Sequence, residues 1–333
     1  MEDPASTPQI WVVSACFNEA QGIASFIEAV RSQGCINRLV LVDDGSKDQS
    51  AAIVRQQIAA DKQAGQGINC QISLISLTRN FGKEAAMLAG LDFAKGRCDA
   101  AVLMDSDLQH PPELLVEMVA AFQAGAEIVT AIRRDRQGES GIKATSAHWF
   151  YSLFNHLVDS IQLVDGAGDY RLLSGAALNS LTQLREGGRF SKGLFPWIGF
   201  ENVDVYYACP TRGSGQTSWN LSSLWNYALD GIFGFSLVPL KVWSGIGAFI
   251  SASSVLYSIY FAIHTLLYGI DVAGFPSLIV AITFLGGIQL IGIGILGEYI
   301  GRIFLEVKTR PNYLVRAVDG SVPKKSRKIK KQF

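Results

Sequence analysis

Short apolar runs alternate with stretches of helical periodicity through the first two-thirds of the chain. Ile10–Val13, Leu39–Val42, Ile72–Ile75, Ala100–Met104 and Ile128–Ile132 are mostly apolar runs of four or five residues. Such runs have the length and character of strands buried on both faces. Helical patterns fall near 20–33, 50–64, 82–95, 112–124 and 143–159. This order predicts βαβ units and a mostly parallel sheet covered on both sides. Residues 1–215 hold no linker-like stretch and are expected to form one α/β domain.

The pattern then changes. No Asp, Glu, Lys or Arg occurs in the 29 positions between Lys241 and Asp271, or in the 26 between Asp271 and Glu298. About 20 apolar residues cross a hydrocarbon core of roughly 30 Å. Two membrane spans are therefore expected, near Val242–Ile263 and Ser277–Leu296, joined by a connection holding Gly269, Asp271, Gly274 and Pro276. Lys241 and Arg302 flank the outer ends, which turns the Asp271 loop away from the cytoplasm. Leu221–Phe235, with Trp225, Tyr227, Phe233 and Phe235, reads as an interfacial helix, and Tyr299–Val307 as a second one. The domain plan is thus 1–215 catalytic, 216–241 linker and interfacial helix, 242–297 a two-span hairpin, and 298–333 interfacial helix and basic tail.

The formal charge of zero hides an asymmetry. Residues 302–333 carry ten Lys or Arg against Glu306 and Asp319, a net +8, which leaves −8 on the remainder. A basic segment beside an apolar span attracts anionic headgroups and marks the cytoplasmic side, and no nucleic-acid partner is expected. Cys16, Cys35, Cys70, Cys98 and Cys209 are odd in number and scattered, which points to a reducing compartment. The start, Met-Glu-Asp-Pro, lacks the basic and apolar regions of a signal peptide, so the first 230 residues are expected in the cytosol. Gly292–Gly297 matches G-x-G-x-x-G, but no strand precedes it. Glycines there, with Gly297 and Gly301 four apart, better serve close helix approach.

Candidate chemistry sits where the apolar runs end. Asp105-Ser106-Asp107 follows Ala100–Met104 directly. Ligands of open α/β sheets bind beyond the carboxyl ends of strands. Two carboxylates so close repel each other unless a cation lies between them. Mg²⁺ prefers one or two carboxylates plus substrate phosphates, and Gln109 can add a neutral oxygen. Val42-Asp43-Asp44-Gly45-Ser46 ends the second run; such carboxylates can bind ribose or base, or can build a turn. Asn18-Glu19 after the first run carries the same alternatives, Asn18 serving equally as a helix cap. His110, beside Pro111 and Pro112 at a helix start, reads as a structural neighbour.

Together these segments resemble the family-2 glycosyltransferases, in the membrane-bound branch that acts on polyprenyl phosphates (the bactoprenol glucosyltransferases of GtrB type and dolichol-phosphate mannose synthase). The resemblance rests on Ala15–Glu19, Val42–Ser46, Thr78–Lys83, Met104–Glu113, Gly168–Arg171 and the two apolar spans. It implies a GT-A nucleotide-sugar fold and inverting transfer of one sugar, with glucose from UDP-glucose expected and GDP-mannose, UDP-N-acetylglucosamine and a modified arabinose donor the alternatives. It also implies Mg²⁺ or Mn²⁺ held by Asp105, Asp107 and Gln109, nucleotide contacts from Glu19, Asp43, Asp44 and Asp105, and a homotetramer. Two departures stand out: Ala15-Cys16-Phe17 replaces the usual Pro-x-Tyr, and around 141–148 only Lys143 and His148 remain of a basic segment.

A lipid monophosphate is already anionic at neutral pH and needs cationic partners beside the donor diphosphate. Arg133, Arg134, Arg136, Lys143 and Arg171 are the candidates. Asp169 and Asp107 are the catalytic candidates, Asp169 as a general base or as a group that orients Arg171 or a sugar hydroxyl. The polar stretch Arg212–Trp219 reads as a donor-covering loop or a plain linker. A processive synthase would carry Gln-x-x-Arg-Trp and more spans. A non-catalytic membrane module that senses nucleotide sugars is the rival of a different class.

Overall fold

The computed structural model describes residues 7–65, 69–134, 151–208 apart from 153, 159 and 160, 234–268 apart from 237, and 274–323. The N-terminal part alternates strands and helices: β1 (Ile10–Cys16), α1 (Ile23–Ser32), β2 (Arg38–Asp43), α2 (Ser50–Ala64), β3 (Gln71–Leu77), α3 (Lys83–Ala94), β4 (Ala100–Leu103), α4 (Leu114–Gln123) and β5 (Ile128–Arg133). Then follow β6 (Ala167–Ser174), α5 (Gly175–Leu181), α6 (Ser191–Trp197), β7 (Asn202–Tyr207), α7 (Val238–Tyr268), α8 (Phe275–Val307) and β8 (Val315–Gly320). The five apolar runs are the strands β1 to β5. Four of the five helical stretches are α1 to α4, whereas most of 143–159 lies outside the described residues.

Among the described residues one eight-stranded sheet runs in the order β7-β5-β6-β4-β1-β2-β3-β8. Its centre, β4-β1-β2-β3, is parallel, as the βαβ pattern requires. β6 runs antiparallel to both β4 and β5, and β8 runs antiparallel to β3, while β5 and β7 pair in parallel, so the sheet is mostly parallel as expected but mixed through β6 and β8. Alternate residues feed two cores. Val12, Leu39, Leu41 and Val102 pack with Phe26, Val54 and Met118 of α1, α2 and α4. Trp11, Val13, Val40 and Leu103 pack with α3, α5 and α6 through Ala86, Leu178 and Phe195. Burial on both faces is why these strands read as unbroken apolar runs.

Residues 298–333 differ from their expected plan. The span Tyr299–Val307 is the continuous end of α8, not a separate interfacial helix, and 315–320 return to the sheet as β8. Asp319 pairs with Arg55 at 2.8 Å, and the buried Arg38 donates to the Ser321 carbonyl and the Ser73 hydroxyl, each at 2.8 Å. The basic residues from Lys324 onward, and most of Leu221–Phe235, lie outside the described residues.

The helices α7 and α8 are 31 and 33 residues long and present large apolar side chains outward, Phe249 at 74% and Leu290 at 70% exposure among them. Among the described residues one stretch, Phe284–Val307, is long and apolar enough to cross a membrane, with mean hydropathy 1.5. Within the glycine run Gly292 has a packing role, since a Cβ there would lie 2.1 Å from the indole nitrogen of Trp243 in α7, whereas Gly294, Gly297 and Gly301 have no described neighbour within 4 Å of such a Cβ.

Candidate active site

The carboxyl ends of β1 to β4 meet at one edge of the sheet, and the loops there are tied together by the residues that the sequence marks. Asn18 adopts a left-handed conformation (φ 57°), donates its N–H to Ser46 Oγ at 2.9 Å and accepts from the Lys47 N–H at 2.9 Å. The Glu19 N–H donates to Ser50 Oγ at 2.8 Å. Asn18 therefore joins the first loop to the second and does not act as a plain helix cap.

Asp43 and Asp44 are buried. Asp43 accepts the Ser46 N–H at 3.1 Å. Asp44 accepts the Phe81 N–H at 2.7 Å on one oxygen and the Gly82 N–H at 2.8 Å on the other. Burial raises the Asp44 carboxyl, against these two donors. Its hydrogen bonds thus fix the loop that launches α3. Gly45 lies between, with φ 72°, and a Cβ there would come within 2.6 Å of the Arg79 backbone. Only glycine satisfies both the conformation and the approach.

That loop delivers Lys83 to the acidic edge. Its ammonium lies 2.7 and 2.9 Å from the two oxygens of Asp105 and 2.9 Å from Asp169 Oδ2. Burial disfavours the Lys83 charge, but Asp169 and Asp105 outweigh it and hold its pKa above the ordinary lysine value. Asp169 comes from β6, whose antiparallel run brings its first residues to the same edge. Burial works against the Asp169 charge too, yet Lys83, Lys192 and Arg171 more than offset it and keep its carboxyl below the usual range. An ionised Asp169 is available to orient cations or accept a hydrogen bond. Its Oδ1 is buried with no hydrogen-bond partner among the described residues.

The turn after β4 is held rigidly. Leu108 is left-handed (φ 58°), and the Gln109 N–H donates to Asp107 Oδ1 at 3.1 Å. His110 Nδ1 accepts the Asp105 N–H at 3.2 Å, and its ring stacks on Tyr170 with centroids 4.8 Å apart. Tyr170 in turn donates its hydroxyl to the Pro111 carbonyl at 3.0 Å. Burial lowers the His110 pKa, so the ring stays neutral and structural. Across the edge, burial together with Asp107, Asp48 and Asp105 raises the Glu19 carboxyl. No three described His, Cys, Asp or Glu side chains converge closely enough to cage an ion. The oxygen donors Asp105, Asp107 and Gln109 fit instead a hard cation that completes its shell with phosphate and water.

Sequence reasoning assigned no role to Glu84 or Lys192, and none to Lys83 within its motif. Glu84, in the first turn of α3, accepts the Ser191 hydroxyl and, at 3.3 Å, the Ser191 N–H. Burial pushes its carboxyl up to about 7, with Asp169 adding to the rise and Ser191 and Arg189 opposing it. The only available signal was a glycine followed by Lys-Glu just past a strand. The five proposed phosphate-binding cations do not form one described cluster. Arg133 ends β5 and Arg134 follows it, the latter over Tyr206 at 5.0 Å. Arg171 lies deeper, paired in register with Thr130 and stacked over Phe195 at 4.5 Å, with burial bringing its pKa down to about 10. It lines a small cleft with Lys192, Thr130 and Asp204. Arg136, Lys143 and the 212–219 loop lie outside the described residues.

Comparison with known proteins gives this geometry a family. Residues 11–181 match the model of Glycosyl transferase family 2. A glycosyltransferase of Synechocystis sp. is 42% identical over 313 residues, 93% of this chain and 95% of that one. The bactoprenol glucosyl transferase of Shigella phage SfII is 41% identical over 92% of this chain and 97% of its own. The putative glycosyltransferase CsbB of Bacillus subtilis is 41% identical over 86% and 83%. A solved glucosyl-3-phosphoglycerate synthase from Mycobacterium tuberculosis is similar at 19% identity over 68% of this chain and 78% of that one, with a TM-score of 0.43, a likeness too slight to carry an argument. With the acidic edge built on β1 to β4 and relatives matched along nearly its full length, the chain belongs to glycosyl transferase family 2, as an enzyme of the GtrB type.

Proposed function

We propose that the protein transfers one glucosyl residue from UDP-glucose to a polyprenyl phosphate of the undecaprenyl type, with inversion, at the cytoplasmic face of a bacterial inner membrane. The observation that carries this reading is about 40% identity to bactoprenol glucosyl transferases along nearly the whole chain, together with the Asp105–Lys83–Asp169 bridge at the carboxyl edge. Asp105, Asp107 and Gln109 would hold a divalent ion against the donor diphosphate. When bound there, Mg²⁺ or Mn²⁺ would supply positive charge to offset that of the departing nucleoside diphosphate. Glu19 and Asp43 face the nucleoside in this reading, while Asp44 acts through the loop it holds.

An acceptor phosphate oxygen attacks the anomeric carbon as the bond to the donor β-phosphate oxygen breaks, and the electron pair leaves with that oxygen. A single displacement of this kind inverts the anomeric centre. The phosphate needs no strong base, so Asp169 orients Lys83 and a sugar hydroxyl. Arg133, Arg134, Arg136, Lys143 and the buried Arg171 receive the lipid phosphate in this reading. The outward apolar surfaces of α7 and α8 support two spans, with Lys241 and Arg302 on the cytoplasmic side. A homotetramer is the expected assembly, with glycines of α8 available for helix contacts.

The test is a panel of labelled nucleotide sugars supplied to the full chain in detergent with Mg²⁺ and polyprenyl phosphate. UDP-glucose alone is expected to yield a chloroform-soluble monosaccharide lipid. EDTA or Asp107→Ala lowers its formation by roughly 100-fold or more. A product from GDP-mannose, a polymer, or metal-independent transfer overturns the corresponding part of the proposal.

A further inference from the structure

We infer that Lys83 is a built-in counter-cation of the acidic edge, whose ammonium occupies Asp105 until a divalent ion arrives and then shifts onto Asp169, fixing that carboxylate for transfer. The inference rests on the metal reading given above. The Lys83 ammonium contacts both oxygens of Asp105, at 2.7 and 2.9 Å. It therefore sits between them, on the side from which an ion gripped by both oxygens would approach. Two cations cannot share that position without strong repulsion.

The structure also supplies the place to which the ammonium moves. Asp169 Oδ2 is already 2.9 Å from the same nitrogen, and its Oδ1 is buried without a partner among the described residues. The inferred movement is a rotation about the terminal bonds of Lys83 that exchanges Asp105 for the second Asp169 oxygen. Lysine suits this role because its charge is compact and its stem flexible, whereas an arginine fork would stay committed to one carboxylate. The frame around it is fixed: Asp44 holds the Phe81 and Gly82 N–H groups, and His110 holds the Asp105 N–H. Only the side chain has to move. Lys83 is thereby a positioning residue that links occupancy of the ion site to the setting of Asp169.

The experiment measures binding of Mn²⁺ alone, without donor or acceptor, to the detergent-purified full chain by electron paramagnetic resonance of free Mn²⁺. Lys83→Met is expected to bind Mn²⁺ about tenfold more tightly than the wild type, since a competing charge has been removed. It should also lose most of its turnover. Lys83→Gln is a second variant should the first fail to fold, and is expected to tighten binding likewise. Lys192→Met removes a different positive charge that acts on Asp169, and is expected to change Mn²⁺ affinity less than about twofold. Wild-type affinity in a folded Lys83 variant, or equal tightening in Lys192→Met, overturns the inference while leaving the metal reading intact. Absence of Mn²⁺ binding from every protein removes the metal reading, and the inference with it.

Discussion

At the scale of single residues, the site is organised by which carboxylates keep their charge. Asp169 and Glu84 lie close together but are pushed in opposite directions, Asp169 down by Lys83, Lys192 and Arg171 against its burial, Glu84 up to about 7 from 4.5 chiefly by burial. The consequence for stability has a definite sign. A carboxyl whose folded pKa exceeds its unfolded value binds more protons when folded, so its contribution falls as pH rises through that interval. For Glu84 the interval runs from about pH 4.5 to 7. Asp169 acts below it, losing its contribution as pH falls beneath the ordinary carboxylate range. Glu84→Gln is expected to flatten the decline between pH 5 and 8, by at most about 3 kcal/mol. Urea unfolding of both proteins at several pH values checks this; parallel curves would refute it. The Glu84 role was not legible in the chain because its partner, Ser191, comes from a remote helix start.

At the scale of elements, the β2 and β3 loops act as one unit. Asp44 and Gly45 look like nucleotide chemistry or turn chemistry in the sequence, and their structural contacts are those of a clamp on the Arg79–Gly82 segment. Asp44→Ala leaves two N–H groups without their acceptor, a loss of roughly 1–3 kcal/mol. Gly45→Ala must move the Arg79 backbone and hold alanine at positive φ, for about 2–4 kcal/mol. Both variants are expected to raise the donor KM, because Lys83 is launched from this loop. Thermal melts with donor titrations test the pair; stability loss with unchanged KM would separate the clamp from the site. The turn Asp105–His110 shows the same division. Its carboxylates are legible from composition at a strand end, whereas its rigidity depends on the ring of Tyr170, from β6.

At the scale of the whole molecule, the chain leaves the sheet for two long helices and then returns. β8 covers the β3 edge, an edge that would otherwise offer unpaired backbone groups to another chain. Ending the chain after Tyr313 removes those bonds and the partners of Arg38 at Ser321. This truncation is expected to lower the melting temperature and promote aggregation, read by size exclusion in detergent. Asp319→Ala alone is expected to cost less than about 1 kcal/mol, since its pair with Arg55 is largely exposed. An equally stable, monodisperse truncation would show that β8 is dispensable. Its six residues, Val-Arg-Ala-Val-Asp-Gly, are short and charged, so the run that contains them reads as tail.

By itself the sequence determined the parallel centre of the sheet, the acid pair beyond β4, the apolar segments and the family. Each is a local property, since periodicity, composition and short motifs act over neighbouring residues. Tertiary structure alone decided the antiparallel strands β6 and β8, the closure of Asp44 onto the α3 loop, and the meeting of Lys83 with Asp105 and Asp169. Those features depend on which distant group satisfies a strand edge, a lone pair or a buried charge, and chain order does not encode that choice until the sheet has formed.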